Sequence, residues 1–146
     1  MSTTPQHSVS VAGIVVRQDG RVLAVQRADN GTWEPPGGVL ELDETLEDGV
    51  RREVYEETGV KVQVGPLTGV YKNMTRGIVA LVFRCRPEEG RAHPSEEATS
   101  VRWLTPDEVA ELMGEVYAIR VLDALAESDD AAPTIRHHDG RTLLDG

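Results

Sequence analysis

A single cysteine, Cys85, stands among 146 residues. One thiol excludes an intramolecular disulfide and a multi-cysteine zinc site. It falls in the apolar stretch from Val79 to Cys85, where a reduced core thiol is expected. Basic side chains are also scarce: 15 Lys and Arg against 25 Asp and Glu leave a formal charge of −10. That balance argues against a nucleic-acid polymer or an anionic membrane as the main partner, since each needs a basic face. A small phosphorylated ligand stays open, because a bound divalent cation inverts the local sign. Long hydrophobic runs are missing as well. Met1 to Ser8 is polar with no basic n-region, and Val9 to Val16 is too short for a signal h-region or a membrane span. A soluble cytoplasmic protein is therefore expected. No internal repeat or low-complexity segment is visible, and 39% hydrophobic with 27% charged residues suits one globular domain.

What is present has readable punctuation. Val9 to Val16 and Val22 to Val25 are strand-like runs around Asp19-Gly20, a pairing that predicts a hairpin. A loop with Asp29-Asn30-Gly31 and Pro35-Pro36-Gly37-Gly38 follows. Next comes a helix with Thr45 as N-cap, Asp48 completing a weak capping box, and Gly59 placed to end it in the left-handed conformation. Strand-like runs follow at Lys61–Val64, Gly69–Lys72, Ile78–Cys85 and Thr99–Leu104. Thr105-Pro106-Asp107-Glu108 starts a second helix, and a third runs from about Val116 to near Glu127. Ser128 to Pro133 reads as a break, leaving a domain over residues 1–127, with its core from about residue 8, and a tail over 128–146. In the tail, His137 and His138 point to opposite sides of an extended chain, so they make a poor metal pair. A hairpin around Asp139-Gly140, or disorder, is expected there. Strands flanked by helices imply an α/β (α+β) fold with a mixed β-sheet covered by helices.

The capped helix carries three acids, Glu53, Glu56 and Glu57, at i, i+3 and i+4, on one side and within reach of a single ion. At about 100° per residue, Leu46, Gly49, Val50 and Val54 form an apolar stripe, and Glu53 and Glu57 fall inside it with Glu56 at its edge. A solvated acidic face would keep its carboxylates away from that stripe. Burying unpaired charge is costly, so something positive must meet these two.

Gly38 to Val60 resembles the Nudix box, G-x5-E-x7-R-E-U-x-E-E-x-G-U with U aliphatic, at every fixed position. The flanks are similar to the family too: Arg27 ends the second strand, Trp33 to Gly38 approaches the box, and Glu97 resembles an additional loop acid. The resemblance covers roughly Val9 to Glu127. Gly49 departs from the usual alanine, which weakens the helix by roughly 0.5–1 kcal/mol, and Asp43 replaces a frequent glycine. What the resemblance implies is a Nudix-type α/β/α sandwich that hydrolyses a nucleoside diphosphate linked to another group, using Mg²⁺ or Mn²⁺. Mg²⁺ prefers carboxylate, carbonyl and water oxygens shared with substrate phosphates.

On that footing Glu53, Glu56, Glu57 and the Gly38 carbonyl are the metal ligands, and Glu53 or Glu97 is the general base. Arg52 orients a box glutamate, Glu44 anchors the loop and Gly59 is structural. Arg27 is either a phosphate contact or a surface arginine. Gly37 leaves the backbone open to substrate, and Trp33 either lines the cleft or packs. Trp103 reads as core, and Lys72 and Arg76 as loop charges. A non-catalytic nucleotide-binding module is the alternative, against which the intact acids speak. An isomerase would want a cleft cysteine, and Cys85 is poorly placed for that. The substrate leans to a nucleoside triphosphate or a nucleotide-sugar type, and a homodimer is an open expectation because small relatives are often dimers.

Overall fold

The computed structural model describes residues 3–126 and 132–144. The first strand, β1 (Ser8–Val15), sends Ala12 and Ile14 to one side and Val11 and Val15 to the other. Both faces are covered, which is why the strand reads as a nearly continuous apolar run. It lies parallel to β6 (Ile78–Glu89), with Ser8 opposite Ile78 and Val15 opposite Cys85, and antiparallel to β4 (Gly37–Val39). With β5 (Lys61–Asn73), β8 (Thr134–His138) and β9 (Leu143–Leu144) these strands form a mixed six-stranded sheet, in the order β4-β1-β6-β5-β8-β9.

Helix α1 (Leu46–Thr58) covers one face of this sheet, packing Val50 and Val54 with Val11, Phe83 and Cys85. On the other face α2 (Pro106–Leu112) and α3 (Glu115–Leu125) bury Val109 and Val121 with Ile14, Tyr71 and Val82. The α+β architecture is therefore a mixed sheet between helices. No helix among the described residues is long and apolar enough to cross a membrane.

Three expectations are corrected. Asp19-Gly20 makes a tight turn, with Gly20 at φ 85 and one bridge between Val16 and Val22, but not a hairpin of one sheet. Both edges of β1 are taken by β4 and β6. The following strand β2 (Val22–Arg27) pairs instead with β3 (Trp33–Glu34) and β7 (Ala98–Leu104) in a separate three-stranded sheet. The runs on either side of Gly65-Pro66 are one strand, β5, whose register shifts there absorb the interruption. At the start of α1, Thr45 accepts from the Asp48 N–H at 3.1 Å, but the Asp48 carboxylate bonds Arg51 rather than closing the box.

Gly59 ends α1 at φ 78 and Thr105 caps α2 in a reciprocal box with Glu108. Helix α3 ends at Leu125 with Ala126 as its C-cap, close to the end expected near Glu127, while most of the break from Ser128 lies outside the described residues. The tail's β8 runs parallel to β5 and its hairpin partner β9 closes the sheet edge. Arg136 of β8 holds Asp123 of α3 in two bonds of 2.8 Å, and the buried Tyr71 hydroxyl donates to the same carboxylate at 2.7 Å.

Candidate active site

Glu53 and Glu57 are buried on the sheet side of α1, at 9% and 8% exposure, in line with Val50 and Val54. They face the backbone of β4. A Cβ on Gly38 would stand 2.7 Å from the Glu53 carboxylate, and one on Gly37 would strike the Val11 carbonyl. Two glycines in succession thus let a main chain lie directly between β1 and the acids. The Gly37 amide also faces Glu57.

Burial pushes the Glu57 carboxyl up to about 9, and the neighbouring Glu53 carboxylate adds to the rise. Charge on Glu57 is costly in this buried setting beside Glu53, and with no cation against it Glu57 holds its proton. Such a pair fits a hard divalent ion, which would replace that proton with charge.

Glu56 departs from the expected trio. Its side chain is 57% exposed and its carboxylate lies 3.3 Å from Arg52 Nη1, one turn earlier on the helix. Among the described residues no three His, Cys, Asp or Glu side chains converge on one point. The i, i+3, i+4 spacing brings Glu56 near the pair, but the arginine at i−4 captures it.

Arg52 is the hub of this corner. It donates to both oxygens of Glu44, at 2.6 and 3.0 Å, to Glu53 Oε1 at 2.8 Å and to the Val39 carbonyl at 3.2 Å. Glu44 also accepts from the Glu41 N–H at 2.9 Å, tying the loop before α1 to the same network. The Arg52 guanidinium beside it lowers the Glu44 carboxyl to about 2.

A cleft of about 720 Å³ runs from Gly37 and Gly38 past Arg27 and Glu34 to Tyr117 and Arg120. Its wall is made by the glycines rather than by the box glutamates themselves. Arg27 stands in it, but its guanidinium is forked onto Asp29 by two 2.9 Å bonds and reaches Glu34 at 3.3 Å. Trp33 is not part of the wall; it packs on the α2 core, with the Arg102 guanidinium 5.7 Å from its ring. The exposed Glu97 side chain is also outside the wall, while its carbonyl accepts from the Ala28 N–H at 2.9 Å. Trp103 packs at the edge of the α1 core.

Glu34, Tyr117 and Arg120 line the cleft without having been singled out by sequence. Burial raises the Glu34 carboxyl, an effect opposed by Arg27. For Arg120 a signal existed. At about 100° per residue it falls between Val116 and Ala124 on the buried stripe of α3, the same anomaly that marks Glu53 and Glu57.

A sequence model of the NUDIX domain matches residues 6–125. The chain is 68% identical over 143 residues to a "MutT-like protein" of Streptomyces ambofaciens, covering 98% of this chain and 91% of that one. It is 37% identical over 83 residues to an "ADP-ribose pyrophosphatase" of Methanocaldococcus jannaschii, covering 52% and 48%. A NUDIX hydrolase crystal structure from Nitrosomonas europaea superposes with a TM-score of 0.78 at 26% identity, over 92% of this chain and 82% of that one.

Proposed function

The chain belongs to the Nudix hydrolase family, and from that premise we propose that it cleaves the diphosphate of a nucleoside diphosphate linked to another group, with Mg²⁺ or Mn²⁺ as cofactor. The observation that carries this reading is the buried Glu53–Glu57 pair set against side-chain-free backbone at Gly37 and Gly38, where the cleft begins. A divalent ion held there would neutralise the diphosphate and lower the pKa of an attacking water.

The chain's own residues then divide the work. Glu53 and Glu57 would hold the ion, and Glu56, whose exposed carboxylate lies against Arg52, would be the third acid available to it. Gly38 offers a carbonyl, and Gly37 keeps the approach to the diphosphate free of side chain. Arg52, fixed by both Glu44 oxygens, positions Glu53 and is a positioning residue. Of the two general-base candidates we favour Glu53, because its carboxylate lies against Gly38, which lines the cleft, whereas the Glu97 side chain is exposed and borders none of it. Arg27 contacts a phosphate by exchanging its bond to Asp29. Tyr117 rather than Trp33 is the aromatic ring available to the substrate in the cleft.

The substrate is of nucleoside triphosphate or nucleotide-sugar type; the Methanocaldococcus jannaschii relative is described as acting on ADP-ribose. A phosphate-release screen of such compounds with Mg²⁺, run on wild type and Glu57→Gln, tests the reading. Turnover lowered by about 10²–10⁴ in Glu57→Gln is expected. No turnover of any compound by wild type would favour a non-catalytic nucleotide-binding module instead, and turnover indifferent to Glu57→Gln would remove Glu57 from the site.

A further inference from the structure

His138 of β8 is 3% exposed, and its ring nitrogens are not equivalent. The Gly140 N–H donates to Nδ1 at 3.0 Å, so the neutral ring carries its proton on Nε2. Nε2 lies 3.5 Å from Arg120 Nη2, which is also a donor. Two N–H groups therefore converge with no acceptor between them among the described residues.

Arg120 has a further unmet donor. Its Nε is sealed from solvent and has no hydrogen-bond partner among the described residues. The Tyr71 and Tyr117 rings, with centroids 5.2 and 5.1 Å from Arg120 Cζ, hold the guanidinium in place. Glu34 is close enough to feel its charge but makes no hydrogen bond to it. Asp139, next in the chain to His138, is occupied by the Arg141 and Thr142 amides.

These donors border a recess of about 130 Å³ between α3, β6 and β8. The recess opens off the main cleft, sharing most of its lining with it, Arg76, Tyr117, Arg120 and Gly140 among them, but includes neither Gly37 nor Gly38. Arg76, which lines both, and Arg141, which lines the main cleft beside Gly140, are exposed guanidiniums in no ion pair among the described residues. In a chain of net charge −10, Arg76, Arg120 and Arg141 thus gather three guanidiniums at one end of the cleft, with Glu34 a nearby carboxylate in its lining.

Buried donors without acceptors are costly, and an oxyanion would satisfy His138, Arg120 and the flanking arginines together. We propose that this end of the cleft is an oxyanion subsite, which takes a phosphate group carried by the substrate away from the diphosphate that is cleaved. The C-terminal hairpin is thereby part of the binding site rather than an appendage. That the phosphate belongs to a substrate rests on the hydrolase reading; that the recess binds an oxyanion does not.

Amide-resolved NMR of the metal-free full chain, titrated with inorganic phosphate, tests the recess. Saturable shifts are expected at Arg76, His138, Gly140 and Arg141, and not at Gly37 or Gly38. Arg120→Gln should weaken this binding by about tenfold, in keeping with loss of a charge-assisted donor pair. Arg141→Gln, at an exposed position that leaves the fold intact, should weaken it by roughly threefold. No saturable shift at the hairpin, or shifts indifferent to both variants, would overturn the subsite.

Matched pairs, coenzyme A against dephospho-coenzyme A and ADP-ribose against its 2′-phosphate, then separate the two sources of phosphate. In at least one pair only the member with the extra phosphate should displace inorganic phosphate from the recess. Equal behaviour within both pairs would overturn the assignment to a substrate group and leave free phosphate as the occupant. Turnover is read separately, so failed hydrolysis with intact displacement would sink the proposed function and spare the subsite.

Discussion

Arg52 grips both carboxylate oxygens of Glu44, at 2.6 and 3.0 Å, and spends its remaining nitrogen on Glu53 at 2.8 Å. Eight residues apart in sequence, the pair turns a loop acid into the brace of a helix arginine, which in turn aims a carboxylate at the cleft. A lysine keeps the charge but loses the planar fork. Arg52→Lys should therefore lower kcat by about 10–100-fold, the usual effect of removing a group that orients a metal ligand, while leaving KM close to wild type. Steady-state kinetics check this, and an unchanged kcat would remove Arg52 from any positioning role.

The same pair sets an acid limit. The folded-state carboxyl of Glu44 is lowered to about 2 by the Arg52 guanidinium. A depressed carboxyl stabilises the fold above its unfolded value of roughly 4.3, and that contribution is lost as pH falls toward 2. Glu44→Gln should thus be less stable than wild type at pH 6, with the gap closing between about pH 4 and 2. Urea unfolding at a series of pH values reads the gap directly.

Glu57 has the opposite sign. Its folded-state carboxyl is raised to about 9 by burial and by Glu53, so its protonated form is the one the fold favours. Without metal, wild type should lose stability as pH rises from about 5 to 9, whereas Glu57→Gln, which mimics the protonated group, should not. Mg²⁺ at about a hundred times its Kd would raise wild-type stability by roughly 2.7 kcal/mol and leave Glu57→Gln unmoved. Turnover by the variant should fall by about 10²–10⁴, the worth of several kcal/mol of charge stabilisation. Thermal melts with and without Mg²⁺, alongside kinetics, separate these effects.

At the far end of α1, Gly59 sits at φ 78 with the His93 ring against the place a side chain would occupy. A left-handed residue with a Cβ costs about 1–2 kcal/mol. Gly59→Ala should lower unfolding free energy by at least that amount with little effect on kcat, because Gly59 touches neither the cleft wall nor the Arg52 network. Denaturant unfolding and kinetics on one sample distinguish this from a catalytic role.

The contrast between these residues shows where sequence is legible. Helix α1 is decided locally: Thr45, Gly59 and the phase of Val50, Glu53, Val54 and Glu57 all act within a few turns, so its ends and inward face can be read in advance. Strand partners are decided elsewhere. Nothing within Ser8–Val15 says that its edges will be filled by β4 and β6, and once they are, β2 has to pair in another sheet. Gly65-Pro66 looks like a break, yet β5 continues through it because Gly65 lets the chain run against the Arg84 carbonyl, 2.8 Å from where its Cβ would be. Gly49 tells a similar story. It reads as a weak point in a helix, but a Cβ there would meet Leu40 at 2.6 Å and Glu44 at 3.1 Å. Arg120 was legible by phase alone, whereas its partner His138 was not, because parallel pairing of β8 with β5 is what brings the tail to α3.

That pairing is secured by Asp123, and the strength of the lock can be measured. The Asp123 side chain is 8% exposed and takes two bonds from Arg136 and one from Tyr71. Asp123→Asn keeps the size but removes the charge that the Arg136 fork requires, and it leaves one acceptor oxygen where two are used. Breaking a wholly buried pair costs about 3–5 kcal/mol; Arg136 reaches solvent, so roughly 2–3 kcal/mol is expected here. The loss should fall on the sheet edge rather than on the core. Amide exchange should quicken across Thr134–His138 while Val50 and Val54 in α1 stay protected. Because His138 and Arg141 ride on the same hairpin, phosphate binding at the recess should weaken together with that protection. If β8 frays while phosphate binding holds, the hairpin is not part of the subsite.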